Sequence, residues 1–127
     1  MLTVRHDSAL PMADQIVAGL RGLIAAGSLL PQTRLPTVRQ LAGDLGVNMN
    51  TVSRAYQVLE SQGLVSTRRG RGTTVTAARE RGAVVDIDEL DRRVRQALAD
   101  ARLAGLDRAQ VQELLAPALD ALWPKED

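Results

Sequence analysis

Residues whose side chains suit contacts with nucleic acid are concentrated between positions 35 and 75 of this chain. Arg39 is followed by the polar run NMNTVSR at residues 48–54, and the basic run RRGRG follows at residues 68–72. Asparagine and arginine can form paired hydrogen bonds with the edges of adenine and guanine, and arginine also binds phosphate. This order predicts a helix for the major groove of duplex DNA, followed by a basic loop for its backbone or minor groove.

Two short helices joined by a glycine-containing turn are predicted to position these residues, as in a helix-turn-helix unit. Thr37 suits the N-cap of the first helix, and Gly46 suits its end because glycine enters the left-handed region at little cost. Asn48 suits the N-cap of the second helix, which Gly63 ends. The apolar positions predicted to face the core are Val38, Leu41, Ala42, Leu45, Val52, Ala55, Tyr56 and Leu59.

The other elements of residues 1–76 are predicted to complete a winged helix-turn-helix domain. Residues 1–10 are expected to be extended, and Pro11 and Gly27 are expected to begin and end a helix. Residues 28–36 contain two prolines and no helical period, which predicts a loop. Strands are predicted at residues 64–68 and 73–76, joined by a turn at residues 69–72 whose glycines supply positive φ.

A linker and a two-helix tail are predicted after the wing. Residues 77–85 are polar and charged, which is typical of a linker, and helical spacing resumes over residues 86–127. Gly105 separates the two helices, and Asp107 with Gln110 resembles a capping box. Pro117 is expected to kink the second helix or to start a new short turn. The predicted fold is mainly α with a small β-hairpin.

The tail is expected to dimerise. An antiparallel helical hairpin of this size buries too little surface to offset the entropy of ordering it, so its apolar stripes need a partner. A second copy related by a two-fold axis is the simplest partner, and folding back onto the winged domain is the alternative. The residues expected at the dimer interface are Leu90, Val94, Leu98, Ala101, Val111, Leu114, Leu115, Leu119 and Leu122.

Charge is divided unevenly along the 127 residues, although the net charge is only +1. Residues 1–82 contain ten arginines against five acids, whereas residues 83–127 contain six basic residues against ten acids. A polyanion is therefore expected to meet the front half. There is no cysteine, no apolar run long enough to span a membrane and no signal-peptide pattern, so a soluble cytoplasmic protein is predicted.

The motifs between residues 11 and 75 resemble the GntR family of bacterial transcription regulators. The matching phrases are QI at residues 15–16, GSL at 27–29, LPTVRQLA at 35–42, LGVNMNTVSRAYQVLE at 45–60 and RRGRGTTV at 68–75. The short remainder is similar to the YtrA-like subfamily. That resemblance implies a two-helix dimerisation tail, a homodimer acting as a repressor on a palindromic operator, and a link to transporter operons.

The residues expected to contact DNA are Arg39, Asn48, Met49, Asn50, Thr51, Ser53, Arg54, Arg68, Arg69, Gly70, Arg71 and Gly72. The resemblance implies DNA contact by Arg39, to guanine or to phosphate, and the alternative is a surface pair with Asp44. Asn50 is free to bind adenine, and Arg54 is expected to clamp phosphate. Many family members have arginine where Met49 stands, and some have arginine where Ser53 stands, so the operator sequence is left open.

The wing arginines are expected at the minor groove, where Arg responds to groove width, and a solvated charged turn is the alternative. Tyr56 is expected to pack in the core, with a hydroxyl that could reach the DNA backbone.

The sequence disfavours three other functions. Catalysis is disfavoured because there is no cysteine, only one histidine and no phosphate-binding glycine loop. A winged-helix module that binds protein instead of DNA would lack an arginine-rich wing, and an RNA-binding protein would usually have more aromatic residues. No metal or other cofactor is expected, and a small-molecule effector would have to lie between subunits or between the tail and the winged domain.

Overall fold

The computed structural model describes residues 2–77 and 86–125, so residues 78–85 of the expected 77–85 linker lie outside the described residues. The chain divides into two compact units, Met1–Gly82 and Ala83–Asp127. The described part of the first unit contains three helices and a two-stranded antiparallel hairpin. These elements are α1 (Met12–Ala25), α2 (Val38–Leu45), α3 (Met49–Ser61), β1 (Val65–Arg68) and β2 (Gly72–Val75).

Hydrogen bonds made by side chains fix where α2 and α3 begin. Thr37 Oγ1 accepts from Gln40 N at 3.1 Å, while Thr37 N donates to Gln40 Oε1 at 2.9 Å, which completes a capping box. Gly46 ends α2 at φ +68°, in the left-handed region. Asn48 Oδ1 accepts from Asn50 N at 2.7 Å and so caps α3. The predicted caps of the helix-turn-helix unit are confirmed.

Helix α3 lies at the centre of the first unit and packs against α1, α2 and β1. The apolar positions of α3 occur at helical spacing, so one face is buried while the opposite face stays polar. Burial of this kind stabilises the fold by about 25 cal/mol for each Å² of apolar surface removed from water. The buried residues of the core are Ile16, Leu20, Ile24, Leu35, Leu41, Ala42, Val52, Ala55, Tyr56, Leu59, Val65 and Val75.

The hairpin pairs Val65 with Val75 and Arg68 with Gly72, which places the basic turn at its tip. A third segment lies along β2, where sequence patterns predicted only a loop over residues 28–36. Arg34 forms an antiparallel bridge with Thr74. Leu35 N donates to Thr73 O at 2.8 Å, and Val75 N donates to Thr33 O at 2.9 Å. The loop therefore covers one edge of the wing with main-chain hydrogen bonds.

The described part of the second unit contains α4 (Ile87–Leu103) and α5 (Arg108–Leu122). Asp86 caps α4, and Asp107 with Gln110 forms the predicted capping box of α5. Helix α5 continues through Pro117 without starting a new turn. In the described ranges, no helix combines the length and apolarity needed to cross a bilayer.

Candidate nucleic-acid interface

The N-terminal turn of α3 is accessible to a ligand. Asn48 caps the helix, and Met49 is 47% exposed although it is apolar. Asn50 and Arg54 are both exposed, and their spacing of four residues places them on one face of the helix. Thr51 and Ser53 are partly exposed. This turn therefore combines the positive end of a helix dipole with exposed polar side chains, an arrangement that suits phosphates and base edges.

Arg39 is exposed on α2, one position away from the partly buried Val38. Asp44 is also exposed, and no ion pair between the two is present among the described residues. The surface pair that was the alternative for Arg39 is therefore not formed, and the guanidinium is available to a ligand.

The basic tip of the hairpin is held in a defined place relative to α3. Glu60 Oε2, near the end of α3, accepts from Thr67 N at 2.7 Å. Thr67 and Thr73 are joined across the hairpin by a hydroxyl contact of 2.9 Å. Gly70 has φ +81°, which an L-residue adopts only with strain. The exposed arginines of the wing, Arg68, Arg69 and Arg71, are thus presented on a hairpin anchored to the same helix that presents Asn50 and Arg54.

The arginines of this surface have no partner among the residues that the structure describes. Across residues 2–77 and 86–125, neither a side-chain hydrogen bond nor an ion pair involves Arg39, Arg54, Arg68, Arg69 or Arg71. Like charges gathered without counter-charges create a positive potential that attracts a polyanion. In this respect the surface matches the phosphate-binding requirement of a DNA-binding protein.

Tyr56 has a structural task on the buried side of α3. Its ring is 6% exposed, and its hydroxyl donates to Pro36 O at 2.7 Å. Burial raises the pKa of Tyr56 to about 12 because it disfavours the charged phenolate. The expected core position is confirmed, and the hydrogen of the hydroxyl is used within the protein. The hydroxyl fastens α3 to the residue that precedes Thr37.

Two features of the winged unit were not predicted from the sequence. The sequence predicts a loop at Arg34, yet its backbone pairs with β2 and its guanidinium lies against Gly72. A groove of about 1060 Å³ lies beside α2, lined by six leucines with Arg34, Gln40 and Asp44 among its polar neighbours. Sequence patterns gave no signal for this groove, because leucines at helical spacing predict core positions whether or not a neighbour covers them.

No group of three or more acidic or histidine residues that could hold a metal ion occurs in the described ranges. His6, the single histidine of the chain, is exposed, and its Nε2 lies 3.3 Å from Leu45 O.

Comparison with known proteins connects this surface to gene regulation. The family of bacterial regulatory proteins named gntR matches residues 12–75. The HTH-type transcriptional repressor YtrA of Bacillus subtilis is 32% identical over 114 residues, which span 89% of this chain and 88% of that protein.

Solved structures agree with that relationship. A transcriptional antiterminator from Listeria monocytogenes superposes with a TM-score of 0.81 at 26% identity, covering 100% of this chain and 96% of the other. The DNA-binding domain of AraR, in complex with operator ORX1, superposes with a TM-score of 0.54 at 29% identity. That match covers 60% of this chain and 95% of the AraR chain.

The family match, the likeness to YtrA over most of both chains and the short tail of α4 and α5 lead to one conclusion. The protein belongs to the GntR family of bacterial regulatory proteins and fits its YtrA-like subfamily.

Proposed function

We propose that this protein is a transcriptional repressor that binds a palindromic DNA operator as a homodimer. The observation that carries the proposal is the exposed N-terminal turn of α3, flanked by arginines of α2 and of the wing that have no partner in the described part of the chain. The operator complex of the AraR domain and the name of the YtrA repressor support it.

Each part of the surface has a distinct task in the proposed complex. Asn50, Thr51 and Arg39 contact base edges in the major groove, and Met49 packs against a thymine methyl group. Arg54 and the N-terminal peptide groups of α3 bind phosphates. Arg69 and Arg71 extend from the wing toward the minor groove, where a narrow groove attracts arginine.

The tail joins two copies of the chain, so that the second copy can bind the second half-site of the operator. Residues 1–76 form the DNA-binding domain, residues 77–85 the linker and residues 86–127 the dimerisation region. Seven of the nine residues of the expected interface are exposed in the single chain, from 36% at Leu122 to 64% at Leu114, and Ala101 and Val111 are partly buried. Exposed apolar faces of this extent indicate a protein interface. A two-fold pair would place the two copies of α3 in successive major grooves, about 34–36 Å apart.

The proposed action is control of transcription in the bacterial cytoplasm through occupancy of DNA, without catalysis. The likeness to YtrA supports control of a transporter operon, which is the role implied by the subfamily. A small-molecule effector would act by changing the geometry of the two DNA-binding domains or of the dimer.

Selection of DNA from a random duplex library tests the proposal. The full chain is expected to enrich a palindrome, and Asn50→Ala is expected to lose preference for it while retaining affinity for mixed-sequence duplex. Gln112→Ala is the matched control, because it truncates an exposed amide on α5 and leaves α3 unchanged. If no sequence is enriched over competitor at modest ionic strength, the proposed function is overturned.

A further inference from the structure

Arg34 is a cation of the wing that comes from a different part of the chain. Its backbone pairs with Thr74 of β2, and Gly72 lies two residues away on that strand. Diagonal neighbours of this kind are within reach of long side chains. The guanidinium of Arg34 extends over Gly72, since an ideal Cβ built on Gly72 would lie 2.9 Å from Arg34 Nε and 3.1 Å from Nη2.

Two physical reasons therefore favour glycine at position 72. Its φ of +69° lies in the left-handed region, and any Cβ would meet the guanidinium at less than ordinary van der Waals distance. Gly70 differs, because its Cβ would meet open space at φ +81°. Gly72 thus makes room for the guanidinium of Arg34.

The position of Arg34 adds positive charge where no counter-charge is present. Arg68 is the register partner of Gly72 on β1, so two arginines flank this glycine. No acidic side chain pairs with either of them within residues 2–77 and 86–125. Like charges at neighbouring sheet positions repel one another, and binding of a phosphate would relieve that repulsion.

We propose that Arg34 is a further DNA contact of the wing, binding a backbone phosphate, and that Gly72 is required because a side chain there would displace it. The inference rests on the proposed function and extends the DNA surface to the loop before α2. Arg34 also connects the wing with α2, because the chain leads from Arg34 through Pro36 to the capping box of the helix that carries Arg39.

The test compares Arg34→Ala and Arg34→Lys with the unmodified chain on a mixed-sequence duplex, with the dissociation constant measured over a series of salt concentrations. Loss of a phosphate contact lowers the salt dependence, the slope of log K against log salt, by about 0.9 for each protomer. Arg34→Ala is expected to show that reduction together with about tenfold weaker binding at low salt. Arg34→Lys retains a charge and is expected to keep most of the slope.

Arg21→Ala controls for removal of an arginine elsewhere, because Arg21 lies on α1 and donates to Gln62. It is expected to leave the salt dependence unchanged. If Arg34→Ala weakens binding with an unchanged slope, Arg34 only supports the wing and the inference is overturned. An unchanged dissociation constant overturns it as well. Failure of the unmodified chain to bind any duplex would overturn the proposed function too, so the two failures are distinguishable.

Gly72→Ala tests the second half of the inference. It is expected to lower the slope as Arg34→Ala does, and the double variant is expected to lose nothing further. Gly27→Ala is the matched control for backbone strain, because Gly27 has φ +79° and its Cβ would meet open space. Additive effects of Gly72→Ala and Arg34→Ala would overturn the role assigned to Gly72.

Discussion

The two units of this chain differ in whether their arginines have partners. In the winged unit, the arginines of α2, α3 and the wing have no partner within the described residues. In the tail, Arg92 binds Glu89 at 2.6 Å and Arg95 binds Asp91 at 2.8 Å, each within one turn of α4. Two arginines of the tail are therefore paired within α4, whereas the arginines of α2, α3 and the wing are open to an external polyanion.

Apolar residues show the reverse division. The winged unit encloses a core that includes Ile16, Val52 and Leu59, all fully buried. Among the described residues of the tail none is buried, and Trp123 at the end of α5 is 71% exposed. The winged unit therefore has its own core and offers arginines to an external partner, while the described tail has two internal ion pairs and apolar faces that no core covers. This division of labour is what a dimeric DNA-binding protein requires.

The largest expected effect follows from adding a charge to the apolar stripe of α5. Leu115→Asp would place a carboxylate in the proposed interface, where desolvation opposes association. We expect a monomer by size-exclusion chromatography with light scattering, and roughly a hundredfold or greater loss of operator affinity because the second half-site is no longer linked. Gln112→Asp adds the same charge to α5 off the stripe and should leave a dimer. A monomeric unmodified chain at micromolar concentration would contradict the role of the tail.

Removal of the guanidinium of Arg39 is the next largest effect. Arg39→Ala is expected to weaken operator binding by about 1–3 kcal/mol and to relax preference at one base pair. Competition among operators with single substitutions measures this. An equal loss on every sequence would instead assign Arg39 to a phosphate.

The winged unit also shows how far sequence reasoning extends. The caps at Thr37, Gly46 and Asn48 were predictable because capping depends on residues only two to four positions apart. The pairing of Arg34 with Thr74 was not, because it joins segments distant in sequence and uses main-chain groups that leave no periodic pattern. The exposed residues of the interface were identified by residue type and by family resemblance rather than by any packing argument.

The tail marks a second limit of sequence reasoning. Its helical spacing and its capping box at Asp107 and Gln110 are local, and they were predicted correctly. The sequence could not determine whether the apolar stripes would meet each other or another chain, because a stripe specifies that a surface will be covered without specifying what covers it.

A smaller effect is expected from the two arginines on either side of Gly70. Changing both Arg69 and Arg71 to Ala should weaken binding to operator and to mixed-sequence duplex by the same factor, about tenfold, because phosphate contacts and groove width carry little base information. Fluorescence anisotropy with both duplexes tests this. Selective loss on the operator alone would show that the wing contacts bases.

Titration of Tyr56 should affect the winged unit alone. Its pKa is raised to about 12 in the folded chain from an ordinary value near 10, so its contribution to stability is complete below pH 10. That contribution should be lost as pH rises from about 10 to about 12. The chain has one tyrosine and one lysine, so few other groups titrate in this window. Urea unfolding at several pH values should show a smaller decline for Tyr56→Phe, and an equal decline would contradict the assignment.

The smallest expected effect on DNA binding comes from removing an arginine that already has a partner. Arg92→Gln breaks the pair with Glu89, whose hydrogen bond with Arg92 holds the pKa of that carboxyl below its ordinary value. The pair therefore stabilises α4 above the ordinary pKa of Glu89, and this support is lost as pH falls through the lowered value. Circular dichroism should show a slight loss of helix near neutral pH that disappears in acid, while operator affinity stays within about twofold because surface pairs contribute little. Loss of DNA affinity comparable with that of Arg39→Ala would show that charge in the tail also faces DNA, and the contrast between the two units would fail.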